Sequence, residues 1–201
     1  GFDLERFRNA AAADGELARE RGIPSGTPIV LMVACLKPQK APLDFVRVAE
    51  AVHREVPEAR FLLAGDGELR ERMFEAVRNA ELEDVFFHLG WREDVPALMK
   101  SSRILVLTSL WEGLPRVIPQ AKAAARPVVA TAVDGSVEAI RDGVDGYLCP
   151  PGDVAVMADR VVRLLKDPDA AAAMGRRGSE TVQEWDEDEM VRKQEELYGR
   201  L

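Results

Sequence analysis

The sequence predicts an α/β fold, a doubly wound parallel sheet of about six strands flanked by helices. Short, nearly continuous apolar runs recur along the chain, and stretches with helical periodicity separate them. Runs without polar alternation are typical of strands buried on both faces of a parallel sheet. The length of 201 residues and the hydrophobic content of 47% suit one domain with a single core.

Six apolar runs are predicted to form the strands. Each has four to six residues, which is the length expected of a buried strand. The runs cover residues 29–34, 60–64, 85–88, 103–107, 127–131 and 146–149.

Helices are predicted between and after these strands. Residues 43–55 and 69–79 each collect their apolar side chains on one face, the pattern of a helix that covers a sheet. After the last strand, Asp153 is a predicted N-cap of a helix that is broken at 166–168, because Pro168 cannot continue it. Two more helices are expected to follow, the last over 186–201.

Charge and cysteine content restrict the partners and the compartment. The net charge is −8 and the cations are scattered among acids, so no nucleic acid is expected as a partner. Cys35 and Cys149 have no metal-ligand or redox spacing, which predicts no metal site and a reducing compartment. The chain has no apolar run of about 20 residues and no signal peptide at its start. The expected location is cytoplasmic, with a peripheral contact at the inner face of the cell membrane left open.

Ligands of doubly wound sheets bind beyond the carboxyl ends of the strands, so the loops after the apolar runs are the candidate sites. The first such loop carries Lys40 just before the predicted helix 43–55. Together with the free amides of that helix, a lysine here suits a phosphate ligand. A solvated lysine in a turn is the competing interpretation.

The second loop carries Gly65 and Gly67, half of a dinucleotide-binding fingerprint without its third glycine. Glycines at these positions permit a ligand to approach the backbone closely. They are equally compatible with a strand-to-helix turn that needs a positive φ. By itself this loop predicts little about a ligand.

The third loop sets Trp91 and Arg92 beside Gly90. A planar base could stack on the indole or accept hydrogen bonds from the guanidinium. A tryptophan packed against a neighbouring helix is the alternative, and the residues do not decide between the two.

The fourth loop, residues 108–115, leads from a buried strand into an apolar helix and is the most specific of the four. It places Glu112 beside Gly113 and Leu114, so a carboxylate and a flexible backbone follow a strand's carboxyl end. We expect a ligand to be bound there.

The short motifs, taken in order, resemble a large family of retaining glycosyltransferases (family four, group one) that includes bacterial mannosyl- and glucosyltransferases and sucrose synthase. The resemblance covers nearly the whole chain and depends on the order and spacing of several motifs. These are Lys37-Pro38-Gln39-Lys40, Ala64-Gly65-Asp66-Gly67, Phe87-His88-Leu89-Gly90, residues 107–115, Arg126-Pro127-Val128-Val129-Ala130-Thr131, Asp134-Gly135 and Asp145-Gly146-Tyr147-Leu148.

The resemblance implies one half of a GT-B enzyme, in which two Rossmann-like domains face each other across a cleft. Residues 1–201 are similar to the C-terminal domain, which binds the nucleotide-sugar donor. Residues 1–28 correspond to the lead-in after the interdomain linker, and the N-terminal acceptor domain is expected to be absent. The terminal helix over 186–201 is expected either to leave apolar residues exposed where that domain would lie or to pack on its own sheet.

Residue by residue, the resemblance implies a donor site. Lys40 is similar to the family's lysine for the donor diphosphate, and Glu112 to the first glutamate of its Glu-x7-Glu motif, near the transferred sugar. The amides at Gly113 and Leu114 would help to hold phosphate and sugar, and the loop 90–92 corresponds to the base-binding loop. No cofactor and no metal ion are implied, because cations and helix amides stabilise the leaving diphosphate.

Two departures from the family pattern put the strength of the donor site in question. Gln120 stands where the second glutamate is usual, and an amide accepts with only one of its two polar atoms. The lost charge-assisted bond costs about 1–3 kcal/mol. The family's phosphate-binding Gly-Arg pair falls at Ala34-Cys35, which removes a cation. Lys122 replaces a usual methionine, and Ala125 a glycine suited to a left-handed turn.

The expected function is therefore donor binding for transfer of a hexosyl group from a nucleoside-diphosphate sugar to a sugar, polysaccharide or lipid-linked acceptor. The substitutions Gln120 and Cys35 favour an alternative, a degenerate non-catalytic domain with an interaction or regulatory role. A GT-B sugar-nucleotide epimerase is a further alternative. Neither the base and sugar of the donor nor the acceptor follows from residue types alone.

Overall fold

The computed structural model describes residues 3–199 and contains the predicted sheet. Six strands pair in parallel in the order β3-β2-β1-β4-β5-β6. Each lies within two residues of the predicted run. The strands are Ile29–Val33 (β1), Arg60–Ala64 (β2), Phe86–Gly90 (β3), Ile104–Leu107 (β4), Val128–Thr131 (β5) and Gly146–Cys149 (β6).

Helices connect the strands and continue after β6. The helices predicted over 43–55 and 69–79 are confirmed as α3 and α4, and the Asp153 N-cap is confirmed by a hydrogen bond from the Val156 amide. The helices are Glu5–Arg8 (α1), Asp14–Arg21 (α2), Pro42–Glu55 (α3), Arg70–Asn79 (α4), Val95–Ser101 (α5), Val117–Ala123 (α6), Asp134–Ala139 (α7), Val154–Lys166 (α8), Pro168–Thr181 (α9) and Glu187–Tyr198 (α10).

The sheet is covered on both faces, which explains why its strands are apolar throughout. Alternate side chains of β1, such as Val30 and Met32, join one apolar cluster with α3, α4 and α8. The intervening side chain Leu31 joins a second cluster with α1, α2, α5 and α6. Because side chains alternate between the faces of a strand, a continuous apolar run supplies both clusters.

Residues 3–28 are part of the core and more than a lead-in. Leu4, Leu17 and Ile23 are buried in the second apolar cluster, and α1 and α2 pack over that face of the sheet. Residues 1 and 2 of the predicted lead-in lie outside the described residues.

The terminal helix is confirmed as α10, and it does not pack on the sheet of its own domain. None of its residues is buried, and four large apolar side chains are exposed: Met190, Val191, Leu197 and Tyr198. Packing of this helix on the sheet was the alternative expectation, and it is wrong. The end of the predicted helix, residues 200 and 201, lies outside the described residues.

The strand order decides where a ligand can bind. The chain adds β2 and β3 on one side of β1, then returns to place β4 on the other side. The loops that follow the adjacent strands β1 and β4 therefore lead away from each other. A crevice opens at such a switch point. Within residues 3–199, no helix is long and apolar enough to cross a membrane.

Candidate donor-binding site

A cleft with a volume of about 480 Å³ opens beyond the carboxyl ends of the central strands. Its size is typical of sites for small molecules, which span about 300–1,000 Å³. Apolar side chains such as Val33 and Val95 share its walls with a few charged groups. Six of the predicted site residues line it: Lys40, Gly65, Trp91, Arg92, Glu112 and Leu114.

Lys40 and Glu112 meet inside this cleft. The Lys40 Nζ atom donates to Glu112 Oε1 at 2.5 Å, and the hydroxyl of Ser109 donates to the same oxygen at 2.6 Å. The lysine side chain is 19% exposed and the glutamate side chain 5%. Lys40 is thus a cleft residue paired with a carboxylate, and its interpretation as a solvated turn lysine is wrong.

Hydrogen bonds between the loops after β1 and β4 hold this pair together. The Thr108 hydroxyl donates to the carbonyl oxygens of Lys40 and Ala41, and the Gln39 side-chain amide donates to the carbonyl of Trp111. The Leu110 amide donates to the carbonyl of Gln39 at 2.8 Å. Residues about 70 positions apart in sequence are therefore fixed side by side by side-chain and backbone hydrogen bonds.

The two glycines of the second loop let it pack closely against the loop after β1. Gly65 has φ +136°, and a Cβ there would lie 1.9 Å from the carbonyl oxygen of Ala34. A Cβ on Gly67 would lie 2.7 Å from the Leu36 carbonyl oxygen, and the Gly90 carbonyl accepts from the Gly65 amide. Gly65 lines the cleft, whereas Gly67 and Gly90 do not.

Trp91 stands at the mouth of the cleft with 83% of its surface exposed. The expectation that it packs against a neighbouring helix is therefore wrong. An exposed indole beside an apolar cleft offers a free face for stacking a planar ring.

Arg92 lies in the wall of the same cleft, but acidic side chains already engage its guanidinium. It forms two hydrogen bonds with Asp94, both at 2.7 Å, and ion pairs with Glu16 and Glu20 of α2. The bonds to Asp94 hold the pKa of Arg92 above its ordinary value, and the reciprocal bonds hold the pKa of Asp94 below its own. The predicted contact of Arg92 with a base stays a prediction; in the structure the guanidinium braces α2 against the third loop.

The backbone after Glu112 is held by α7. A Cβ on Gly135, at the start of α7, would lie 2.0 Å from the carbonyl oxygen of Gly113. Only a glycine at position 135 permits this approach. Leu114 lines the cleft, and Gly113 is exposed outside its lining.

Gln120 does not line the cleft that contains Lys40 and Glu112. It lines an adjacent cavity of about 480 Å³ together with Phe7 and Pro96. Four residues line both cavities and form the boundary between them: Val33, Trp91, Arg92 and Val95.

Sequence reasoning missed two polar residues of the site. Ser109 is buried and donates to Glu112, and Arg116 adds a third cation, after Lys40 and Arg92, to the cleft lining next to α6. The signal for Arg116 was its position immediately before an apolar helix, where anions are favoured. Ser109 gave no such signal, because a serine after a strand is common in any turn.

A second lysine–carboxylate pair lies at the other end of α6, away from the cleft. Lys122 Nζ lies 3.1 Å from Asp145 Oδ1, and both side chains are buried. Asp145 also accepts from the amide and the guanidinium of Arg141, both at 2.9 Å. Burial disfavours the charged carboxylate, but these donors outweigh it and leave the pKa of Asp145 below its ordinary value.

After the end of α6, the backbone at position 125 has the left-handed conformation that the sequence predicts there. Ala125 has φ +57°, the left-handed conformation that a glycine adopts more readily. Its carbonyl faces α9, where a Cβ on Gly175 would lie 2.1 Å from the Ala125 oxygen.

The two cysteines differ in their environment. Cys35 is exposed in the lining of the cleft, whereas Cys149 is fully buried, and burial raises the pKa of its thiol to about 11. No group of three or more histidine, cysteine, aspartate or glutamate side chains that could hold a metal ion occurs among residues 3–199.

Comparison with known proteins places this chain in a family. The family described as glycosyl transferases group 1 matches residues 14–181. A relative from Escherichia coli, UDP-Gal:alpha-D-GlcNAc-diphosphoundecaprenol alpha-1,3-galactosyltransferase, is 31% identical over 83% of this chain and 44% of its own length. The chain thus spans about half the length of that relative.

Solved structures share the fold. Anabaena Alr3699/HepE in complex with UDP-glucose superposes with a TM-score of 0.88 and 24% identity, over 100% of this chain and 56% of that one. The C-terminal domain of the group 1 protein LpcC from Francisella tularensis superposes with a TM-score of 0.79 and 21% identity, over 91% of this chain and 97% of that domain. The cleft, its ordered loops and the family match over residues 14–181 agree: this chain belongs to the glycosyl transferases group 1 family.

Proposed function

We propose that residues 1–201 form the C-terminal, nucleotide-sugar-binding domain of a glycosyltransferase. The donor is a nucleoside-diphosphate sugar that binds in the cleft between the loops after β1 and β4. The complete protein transfers its hexosyl group to a sugar, polysaccharide or lipid-linked acceptor, with retention of anomeric configuration. One observation carries this proposal: the Lys40–Glu112 pair lies in the same cleft as the exposed indole of Trp91.

The charges in the cleft suit this chemistry. In the proposed complex Lys40 exchanges Glu112 for the donor diphosphate, and Arg116 supplies a second positive charge nearby. Preorganised cations stabilise the charge that develops on a leaving nucleoside diphosphate, so no metal ion is required. Glu112, released from Lys40 but still bonded by Ser109, accepts from hydroxyls of the sugar. Trp91 stacks against the base.

UDP is the first nucleotide to test. The name of the Escherichia coli relative specifies UDP-Gal, and HepE was solved with UDP-glucose. Both support a uridine nucleotide as the initial probe. Gln120 lies across Trp91 from the cleft and is the proposed contact for the donor's ribose.

Exposed apolar residues support a missing N-terminal acceptor domain. Trp111 and Leu114 are exposed at the edge of the cleft, and Leu197 and Tyr198 are exposed on α10. A monomeric surface rarely exposes so many large apolar groups without a partner. We therefore expect the isolated chain to bind the nucleotide without transferring sugar. Free cysteines support a reducing, cytoplasmic location, with any contact at the inner membrane face made by the complete protein.

Protection of Cys35 from alkylation tests donor binding directly. Cys35 is exposed in the cleft and Cys149 is buried with a raised pKa, so a maleimide should add once, at Cys35. Millimolar UDP is expected to slow this reaction several-fold, read by intact-protein mass spectrometry. GDP and ADP run in parallel report the base preference.

Two variants control this experiment. Cys35→Ala should remove the fast adduct, which identifies the labelled thiol. Trp91→Ala should leave thermal stability unchanged, because the side chain is exposed, and should weaken UDP protection about tenfold, since stacking on one base contributes about 1–3 kcal/mol. If none of the three nucleotides slows alkylation at millimolar concentration, the donor-site proposal is wrong.

A degenerate, non-catalytic domain is the second candidate. It is favoured by Gln120, which replaces a carboxylate of the family motif, and by Ala34-Cys35, which bring no cation to the cleft. Hydrolysis of a nucleotide-sugar by the full-length protein would exclude this candidate. Nucleotide protection of Cys35 without any hydrolysis or transfer by the full-length protein would favour it.

A further inference from the structure

A further charged cavity lies at the opposite edge of the sheet from the donor cleft. It has a volume of about 120 Å³ and lies where Ile29 begins β1 and Arg103 and Arg126 precede β4 and β5. Lys100, from the last turn of α5, completes a set of three cations in its lining. The cavity therefore lies at the amino ends of three neighbouring strands.

These three cations outnumber the acidic residues of the cavity lining. No ion pair involving Lys100, Arg103 or Arg126 occurs in the described part of the chain, and Asp14 is the one acidic residue in the cavity lining. The carboxylate of Asp14 already accepts a hydrogen bond from the Ser25 hydroxyl. A concentration of positive charge is unusual in a chain whose net charge is −8.

The cations also disturb one another. Burial and then the positive charge of Arg126 lower the pKa of Lys100, and burial and then Arg103 lower the pKa of Arg126. The Arg126 Nη2 atom donates to the carbonyl oxygen of Lys100 at 2.8 Å. Its Nε atom is buried and has no hydrogen-bond partner within residues 3–199. A buried donor without a partner destabilises the fold by about 1–3 kcal/mol unless a ligand satisfies it.

We propose that Lys100, Arg103 and Arg126 form an anion-binding site for a phosphate-type oxyanion. Guanidinium groups bind such oxyanions through paired N–H donors, and a lysine adds a point charge. The volume suffices for a tetrahedral oxyanion, since about 10–15 Å³ of cavity holds one water molecule. The ligand neutralises the repulsion among the three cations, so its binding stabilises the folded chain.

This site is separate from the donor cleft. The two cavities share no lining residue and lie at opposite ends of the parallel strands. Phosphate at the new site and UDP in the cleft are therefore expected to bind simultaneously.

Thermal unfolding with inorganic phosphate tests the proposal, with chloride at equal ionic strength as the reference. At ten times its Kd, phosphate should raise the Tm by about 3–5 °C more than chloride does. The Arg103→Gln variant should lose this difference, and without phosphate its Tm should equal or exceed that of the wild type because repulsion is relieved. A purely structural arginine would instead lower the Tm on substitution.

Three comparisons separate the site from general salt effects and from the donor cleft. Arg72→Gln removes the same charge from an exposed position on α4 and should keep the phosphate response. Lys40→Met, in the donor cleft, should keep it as well. Glycerol 3-phosphate distinguishes a free phosphate ion from a phosphoryl group on a larger molecule. If it raises the Tm as much as inorganic phosphate does, the site accepts a phosphoryl group on a larger molecule. If only inorganic phosphate raises the Tm, the ligand is the free ion. The proposal is overturned if Arg103→Gln responds like the wild type, or if phosphate and chloride act equally.

Discussion

Two short lysine–carboxylate pairs lie at opposite ends of α6, and they differ in how their charges are enclosed. Lys40 and Glu112 meet in the lining of a cleft, where the lysine side chain is 19% exposed and Ser109 also donates to the carboxylate. Lys122 and Asp145 are buried, and Asp145 receives additional donors from Arg141. The pairs are chemically alike, but their surroundings differ.

This difference means that a ligand can replace the ion pair in the cleft, whereas the buried pair is needed for the stability of the fold. A ligand entering the cleft can compete with Glu112 for Lys40 without disturbing the core. Removing one partner of the buried pair leaves an uncompensated charge away from water, which is among the most destabilising single changes. Proximity of a lysine to a carboxylate therefore does not by itself identify a functional site.

The largest effect is expected from Asp145→Asn. It leaves Lys122 buried without its counter-charge, so the free energy of unfolding should fall by about 3–5 kcal/mol. Urea denaturation measures this loss. Asp159→Asn, which removes an exposed acid of α8, is the matched control and should cost less than about 1 kcal/mol. If both variants lose equally little, the distinction between the two pairs fails.

An intermediate effect is expected when the cleft pair is altered. Lys40→Met removes a charge-assisted contact to the diphosphate and should weaken UDP binding by about tenfold or more. Glu112→Gln should strengthen it, because Lys40 no longer has to leave a carboxylate. Calorimetric titration of the chain with UDP measures both constants. Changes in the same direction for both variants would show that Lys40 and Glu112 do not compete for the nucleotide.

The smallest effect concerns acid stability. The pKa of Asp145 is lower in the folded chain than the value of about 3.9 in unfolded chains, so its ionised form stabilises the fold above about pH 4. This stabilisation is lost as the pH falls through the folded pKa. Arg141→Gln removes one donor, from a side chain that is mostly solvent-exposed, and should shift acid unfolding slightly toward higher pH. The acid unfolding transition can be followed by circular dichroism between about pH 2 and pH 6, roughly the range over which this carboxylate is protonated. An unchanged acid midpoint would mean that the Arg141 side chain does not support Asp145.

The strands were predictable because a doubly covered sheet requires a continuous apolar run at each strand. The largest shift is in β3, predicted over 85–88 and found at Phe86–Gly90. A register irregularity between Leu63 and Ala64 lets Gly90 pair with Ala64, so the strand continues to the glycine. In the sequence, a glycine after an apolar run instead predicts a loop residue. The helix α2 was missed because it buries only Leu17 and thus has no apolar stripe.

The site was predictable where the signal is local and unpredictable where distant residues decide. Lys40 and Glu112 each stand in a loop after a strand, and the sheet topology then brings those loops together. The ion pairs of Arg92 could not be predicted, because Glu16 and Glu20 lie 76 and 72 residues earlier in the chain. No pattern near Arg92 indicates those partners.

The contact between Gly135 and Gly113 bears on how such a cleft can diversify. Any side chain at position 135 would collide with the carbonyl oxygen of Gly113, so the close packing of this loop on α7 depends on the glycine at position 135. Side chains such as Cys35 and Trp91 can then be exchanged without rebuilding the loop. For redesign of nucleotide preference, position 135 should be held constant, and positions 35 and 91 are the places to randomise.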